Sequence, residues 1–330
     1  MKTAAIGVDI GGTGVKLALV SSSGRVLTRD TFATRDHAGR EALLAELSRR
    51  IRGLADEGRR RGMRIAGAGV GAPGPIDVER GFVYFFPNIP GWKNAPIRSL
   101  LERRTGLPVR VDNDANAMAL GESIFGAGRG ARNLIALTLG TGIGGGIVMD
   151  GRLFHGPAYS AAEIGHIVIN ENGPKCGCGN RGCIETYVGN GHFVRAVRER
   201  LARGEKSILS RWVREGRELT PLLVARAADR GDRLAVDQWR ITATRLGTVL
   251  AGLVNVLNPE RIVLGGGIAL NRKHIFPVVT QVLREKAFPI AARSVRVVPA
   301  ALGTDAGTVG AAALVFASVP RSGKTGRRDS

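Results

Sequence analysis

The chain has 330 residues, 44% hydrophobic and 23% charged, with 48 basic and 28 acidic side chains. This length accommodates about two domains with a sizeable core, and the composition excludes a disordered chain. The net charge of +20 is spread over mixed-charge helical stretches such as 40–64 and 193–240, with no single basic stripe. It therefore predicts a solvated basic surface that suits anionic substrates, and no nucleic-acid partner. No run of about 18 apolar residues occurs, so no membrane helix is expected. The opening MKTAAIGVDIGGT lacks the features of a signal peptide. The three cysteines cluster at 176, 178 and 183, which suggests a metal, a reducing compartment and a cytoplasmic location.

In chain order, Ala4–Val20 reads as a β-hairpin turning at Gly11 and Gly12, followed by a strand over Arg25–Thr34. Leu43, Leu44, Leu47, Ile51 and Leu54 give a helical stripe within Arg40–Arg61. A small-residue strand, Ala66–Ala72, ends at the turn Pro73-Gly74-Pro75. Val83–Pro96 reads as an extended loop, Ser99–Thr105 as a helix, Pro108–Asp112 as a strand and Asn116–Phe125 as a helix. A second hairpin, Leu134–Met149, turns at the glycine-rich Gly140–Gly146 and repeats the design of the first, which suggests an internal duplication. A loop-rich insert spans 151–186, and helices fill 190–257. A strand over Arg261–Gly267, a helix Lys273–Lys286, a strand Val295–Pro299 and a closing helix Thr304–Phe316 follow. Residues 319–330 read as a disordered basic tail.

Three glycine-rich turns follow apolar strands, at Gly11-Gly12-Thr13, Gly140–Gly146 and Gly265–Gly267. Glycine lets main-chain N–H groups approach a phosphate, and Thr13 and Thr141 add hydroxyl donors, with Lys16 close by. Three such turns in one chain favour a nucleotide over ligand-free hairpins. Gly140–Gly145 also fits the dinucleotide fingerprint, but that motif opens a helix and here a strand continues. The Gly-Lys324-Thr325 of the tail lacks the upstream glycine of a phosphate-binding loop.

Asp112, Asn113, Asp114 and Asn116 crowd a strand end before a helix, where α/β proteins present ligand-binding groups. Capping needs one such residue, so four point to chemistry, with Asp112 or Asp114 as a base. His166, Cys176, Cys178 and Cys183 supply the three thiolates and one imidazole of a closed structural zinc site. Glu163 and Glu185 flank that loop and suit recognition of sugar hydroxyls.

Together these motifs resemble the ROK family (repressors, open reading frames and sugar kinases), most closely its bacterial ATP-dependent glucokinases. The resemblance rests on Asp9–Thr13, Gly71–Pro75, Pro87–Trp92, Asn113–Asn116, Leu139–Gly145, Glu163–His166 and Cys176–Glu185. It implies an α/β protein of the actin-like, ribonuclease H-like ATPase fold, with two α/β domains flanking a cleft. The smaller domain would comprise 1–115 and about 302–318; the larger, 116–301, would carry the zinc loop 163–185. By the same resemblance Asp114 is the catalytic base. Gly74, Asn88, Asn113, Glu163, His166 and Glu185 contact the sugar. Asp9, Gly11, Gly12, Thr13, Lys16, Gly140, Thr141, Gly142, Gly144, Gly265, Gly266 and Gly267 serve ATP and Mg²⁺. The expected partner is a hexose. Glucose is favoured because Pro75 stands where kinases of N-acylated mannosamine tend to have Arg. ATP is favoured over polyphosphate by the cysteine motif. A homodimer or homotetramer is the expected assembly. Repressors of the family carry a DNA-binding extension before the first hairpin, which is not read here.

Overall fold

A computed structural model describes all residues except 38, 87, 88, 90, 91 and 319–330. The chain divides into two compact units: Met1–Ala117 with the chain from Asp305 onward, and Met118–Thr304.

The first unit is built on a five-stranded sheet in the order Val26–Ala33, Gly14–Ser21, Thr3–Ile10, Arg64–Ala72, Val109–Asn113. The first three strands pair antiparallel, and the last two join parallel. Strand period sorts the side chains onto two faces. Ile6, Val8 and Ile10 enter a core with Leu43, Leu44, Leu47 and Ile51 of the helix Arg40–Arg60. Gly7, Asp9, Gly69 and Gly71 share the other face, which the closing helix Ala306–Ser318 covers. The glycines are required there. A Cβ on Gly7 would overlap the carbonyl of Thr308, and one on Gly69 the carbonyl of Ala311. Helix and sheet main chains thus touch almost directly.

The stretch read as a loop over 83–96 contains two strands, Phe82–Phe85 and Lys93–Ala95. With Ile76–Asp77 they form an antiparallel three-stranded sheet. Val83 and Ala95 are buried while Tyr84 and Phe85 are both exposed, so neither polarity nor burial alternates along Phe-Val-Tyr-Phe to mark a strand. Asn88 and the tail 319–330 lie outside the described residues.

In the second unit a sheet runs Arg152–Leu153, Ile143–Met149, Leu134–Leu139, Arg261–Gly265, Arg296–Pro299. Its pairing sense repeats that of the first sheet, so the duplication suggested by the two hairpins extends to topology. Two glycine turns differ from expectation. The second hairpin turns at Gly140–Gly142 alone, and Gly144, Gly145 and Gly146 are ladder residues opposite Thr138, Leu137 and Ala136. The strand at 261 stops at Gly265, and Gly266 already opens the helix Gly266–Ala269, so this is a strand-to-helix junction. Helices Asn190–Ala202, Ile208–Arg214, Pro221–Ala228, Arg233–Leu257 and Arg272–Lys286 complete the unit around buried Phe193 and Trp239, whose rings lie 4.5 Å apart. Asp232 caps the longest of them by accepting from the Ala235 N–H. No helix among the described residues is long and apolar enough to cross a membrane.

Candidate active site

In the first unit, register brings the expected polar groups side by side. Asp9 pairs with Gly71, and Gly71 with Asp112. Asn113 ends its strand and Asp114 opens the helix Asp114–Ile124. The N–H of Ala115 donates to Asn113 Oδ1 at 2.9 Å and to Asp114 Oδ1 at 2.8 Å. Asn113 Nδ2 donates to the carbonyl of Gly74 at 3.4 Å, which joins the strand end to the Pro73-Gly74-Pro75 turn. Gly74 has φ +90°, a conformation that glycine supplies without strain. Asp112 is buried and accepts from the Asn113 N–H at 2.8 Å and from Asn116 Nδ2 at 3.0 Å. It therefore braces the junction, while Asp114 beside it is half-buried.

Asp9 sits opposite Lys16 in the first hairpin. Burial raises the pKa of its carboxyl, and the Lys16 charge works against that rise. The Gly11–Gly14 turn is closed by the Gly11 N–H donating to Gly14 O at 3.0 Å. Buried Thr34 holds it from outside, its hydroxyl donating to Gly11 O at 3.0 Å and its N–H to Thr13 O at 3.2 Å. Gly12, Thr13 and Lys16 are exposed. A carboxylate beside an open glycine turn, a threonine hydroxyl and an ammonium can hold a metal-bound polyphosphate.

The second unit holds the other expected residues. His166, Cys176, Cys178 and Cys183 present ligand atoms all within 4.8 Å of one another. Cys178 Sγ lies 3.7 Å from Cys183 Sγ, and Cys176 Sγ 3.6 Å from His166 Nδ1. Tetrahedral zinc with bonds of about 2.3 Å to sulfur needs ligand separations of about 3.8 Å, so this donor set fits it. Burial pushes the Cys183 thiol up to about 12 and raises Cys176, while the Asn180 main-chain N–H lowers Cys178. A bound cation reverses that cost by holding the thiolates. His166 turns its other nitrogen, Nε2, toward Glu163, 3.9 Å away.

Glu185 stands between this cluster and the second glycine turn. Its Oε1 is 3.9 Å from Cys176 Sγ, and its Oε2 accepts from the Ile143 N–H at 2.8 Å. A Cβ at Gly142 would lie 3.2 Å from the Glu185 Cδ and closer still to its oxygen. The turn itself is braced by the Asn190 N–H donating to Gly140 O at 2.8 Å. Thr141 is exposed at its tip. Gly266, at φ +84°, lies against the Leu139 main chain, and a Cβ at Gly267 would lie 3.5 Å from Asn190 Nδ2. Gly140–Gly142 and Gly265–Gly267 thus meet around Asn190, a residue that the sequence reading missed.

The arrangement and the comparisons agree on a family. The ROK family model matches residues 5–318, and the chain belongs to the ROK family. The glucokinase of Thermotoga maritima is 37% identical over 94% of this chain and 96% of its own length. Among solved structures, a ROK family glucokinase from Streptomyces griseus in complex with glucose and AMPPNP has 36% identity and a TM-score of 0.77. That match covers 94% of this chain and 98% of that one. A ROK family transcriptional regulator, homologous to the Mlc protein of Escherichia coli, has 30% identity and a TM-score of 0.85, covering 95% of this chain and 78% of that one. The fold is the actin-like, ribonuclease H-like ATPase fold of the ROK sugar kinases.

Proposed function

We propose that this chain transfers the γ-phosphoryl group of ATP to the 6-hydroxyl of glucose. The single observation that carries this is Asn113-Asp114 at the junction of a central strand and a helix, both carboxyl and amide oxygens held by one N–H. Likeness to glucokinases over nearly the full length of both partners supports the same reading. In it, Asn113, Glu163, His166 and Glu185 recognise sugar hydroxyls, as does Asn88. Asp114 accepts the proton of the 6-hydroxyl as the oxygen attacks. A carboxylate with an ordinary pKa of about 3.9 is a weak base, so the proton moves late. Phosphoryl transfer asks mainly for alignment and neutralised charge. Gly11, Gly12, Thr13, Lys16, Gly140, Thr141 and Gly142 would bind the phosphates, and Asp9 would hold Mg²⁺ directly or through water. Mg²⁺, when bound, neutralises charge on the β- and γ-phosphates. The closed four-ligand cluster would hold zinc that fixes the loop and does no chemistry.

The cysteines are free thiols, consistent with a cytoplasmic enzyme. A homodimer or homotetramer is our expectation for the assembly, checked by sedimentation. The deciding experiment is a coupled ADP-release assay with Mg-ATP against glucose, mannose, fructose, N-acetylglucosamine and N-acetylmannosamine. Preference for glucose upholds the proposal, and preference for another sugar overturns the substrate assignment alone. Sugar binding without turnover on any of them makes the chain a sensor.

A further inference from the structure

The helix Asp114–Ile124 is apolar apart from its ends: Ala115, Ala117, Met118, Ala119 and Leu120 are buried. One carboxylate, Glu122, stands in its last turn with 0% exposure. A carboxylate at that depth is normally paired with a cation. Among the described residues Glu122 has no such partner, and its side chain is satisfied by main-chain N–H groups alone. Oε2 accepts from Ala127 at 2.7 Å; Oε1 accepts from Ala301 at 3.0 Å and from Leu302 at 2.9 Å, and Ala301 also reaches Oε2 at 3.1 Å. The Glu122 carbonyl accepts from Gly126 and Gly128 at 3.1 and 2.8 Å. A Cβ at Gly126 would lie 2.7 Å from the Glu122 Cδ, so the turn wraps the side chain closely. Arg261 secures the turn from beyond, its Nη1 donating to Ala127 O at 2.5 Å.

The chain passes from the first unit to the second within this helix, at Ala117–Met118, and returns at Thr304–Asp305, two residues after Leu302. Within the second unit, one side chain therefore joins the last turn of this helix to the segment that ends at Thr304.

We infer that Glu122 is a positioning residue for phosphoryl transfer. It sets the depth and rotation of the helix that carries Asp114 at its first residue and Asn113 just before it. Glu122 lies eight positions after Asp114, about 12 Å along the helix, so it acts through the helix and touches no substrate. This rests on the kinase reading above. Ionised carboxylate oxygens only accept, which suits three converging N–H groups. In Glu122→Gln the shape is kept, but the amide nitrogen presents donors to donors, and one side of the clamp opens.

The test is steady-state kinetics of Glu122→Gln beside the wild type, with thermal melting of both. A misplacement of about 1 Å at a reacting group costs about 10²-fold in rate. The expected result is a kcat lower by about 10–100-fold, with KM for glucose and for Mg-ATP within about threefold of wild type. Faster amide exchange at Ala127, Ala301 and Leu302 accompanies it. If Glu122→Gln does not fold, Glu122→Asp replaces it: the charge is kept, the reach is one methylene short, and the same kcat-against-KM split is expected. A kcat within twofold of wild type overturns the inference, whether or not the melting temperature falls, because the residue is then only structural. A rise in glucose KM that matches the loss in kcat overturns it as well. Absence of turnover by the wild type on every sugar overturns the kinase reading, and this inference with it.

Discussion

Gly307 is the second residue of the closing helix and lies against Asp9, the carboxylate proposed to hold Mg²⁺. A Cβ at this position would sit 2.5 Å from the Asp9 Cγ and 3.1 Å from its Cβ, with a carboxylate oxygen nearer still. Carbon atoms rest at about 3.5–4.0 Å, so in Gly307→Ala the carboxylate must retreat by about 1 Å. Rotation about its last bond leaves Cγ in place and does not relieve the contact. The whole side chain has to swing. A shift of that size at a group that orders the reacting phosphates costs about 10²-fold in rate. The expected outcome is a kcat lower by about two orders of magnitude with glucose affinity near wild type, since no sugar-contacting residue is moved. The assay is ADP release at saturating glucose with Mg²⁺ titrated, together with glucose binding followed by tryptophan fluorescence. Loss of activity that is recovered at high Mg²⁺ agrees with a displaced ligand. A kcat within threefold of wild type at every Mg²⁺ concentration refutes the reasoning.

Asp114→Ala should bind glucose normally yet lose about 10²–10⁴-fold in turnover, checked by calorimetry and the same coupled assay. Elemental analysis should find one zinc per chain, absent from Cys183→Ala. Glu163→Ala, which removes the carboxylate facing His166 Nε2, should raise the glucose KM by about 10–100-fold. Hydrogen bonds from Arg49 and then Arg50 hold the Glu46 carboxyl down at about 2 against an ordinary 4.5, despite the opposing effect of its burial. A carboxyl depressed on folding lends stability above its unfolded pKa and loses it as pH falls through the folded one. Melting curves should therefore show an acid-range loss between pH of about 4.5 and 2 that Glu46→Gln lacks.

Residues whose role follows from local chemistry were legible from the chain alone. The Leu43–Leu54 stripe and the first hairpin emerge as read, and His166, Cys176, Cys178 and Cys183 come together as a cluster that could hold a metal ion. The misreadings have a common cause, that a partner far away in sequence decides the outcome. Gly144–Gly146 look like turn residues, and pairing with Ala136–Thr138 makes them strand. Phe82–Phe85 shows no alternation of its own, and only the packing of Val83 reveals its inner face. Glu185, expected to contact the sugar, also accepts from the Ile143 N–H, and that tie between its loop and a glycine turn 42 residues away is invisible in the chain alone. Glu122 did leave a trace, as a lone acid in an apolar helical run, but its donors at 301 and 302 come from the far end of the second unit.

The bare glycine face of the first sheet has a consequence for how the protein is made. Gly7 and Gly69 are translated early, and the helix that covers them, Ala306–Ser318, is the last described element. Between them the ribosome must add the whole second unit, Met118–Thr304, about 190 residues. At about 5–20 residues per second, the open sheet waits roughly 10–40 s for its cover. The second unit is contiguous and can finish folding during that interval. The first to begin is thus the last to close, which makes its uncovered face the stretch of a nascent chain that chaperones are most needed to shield.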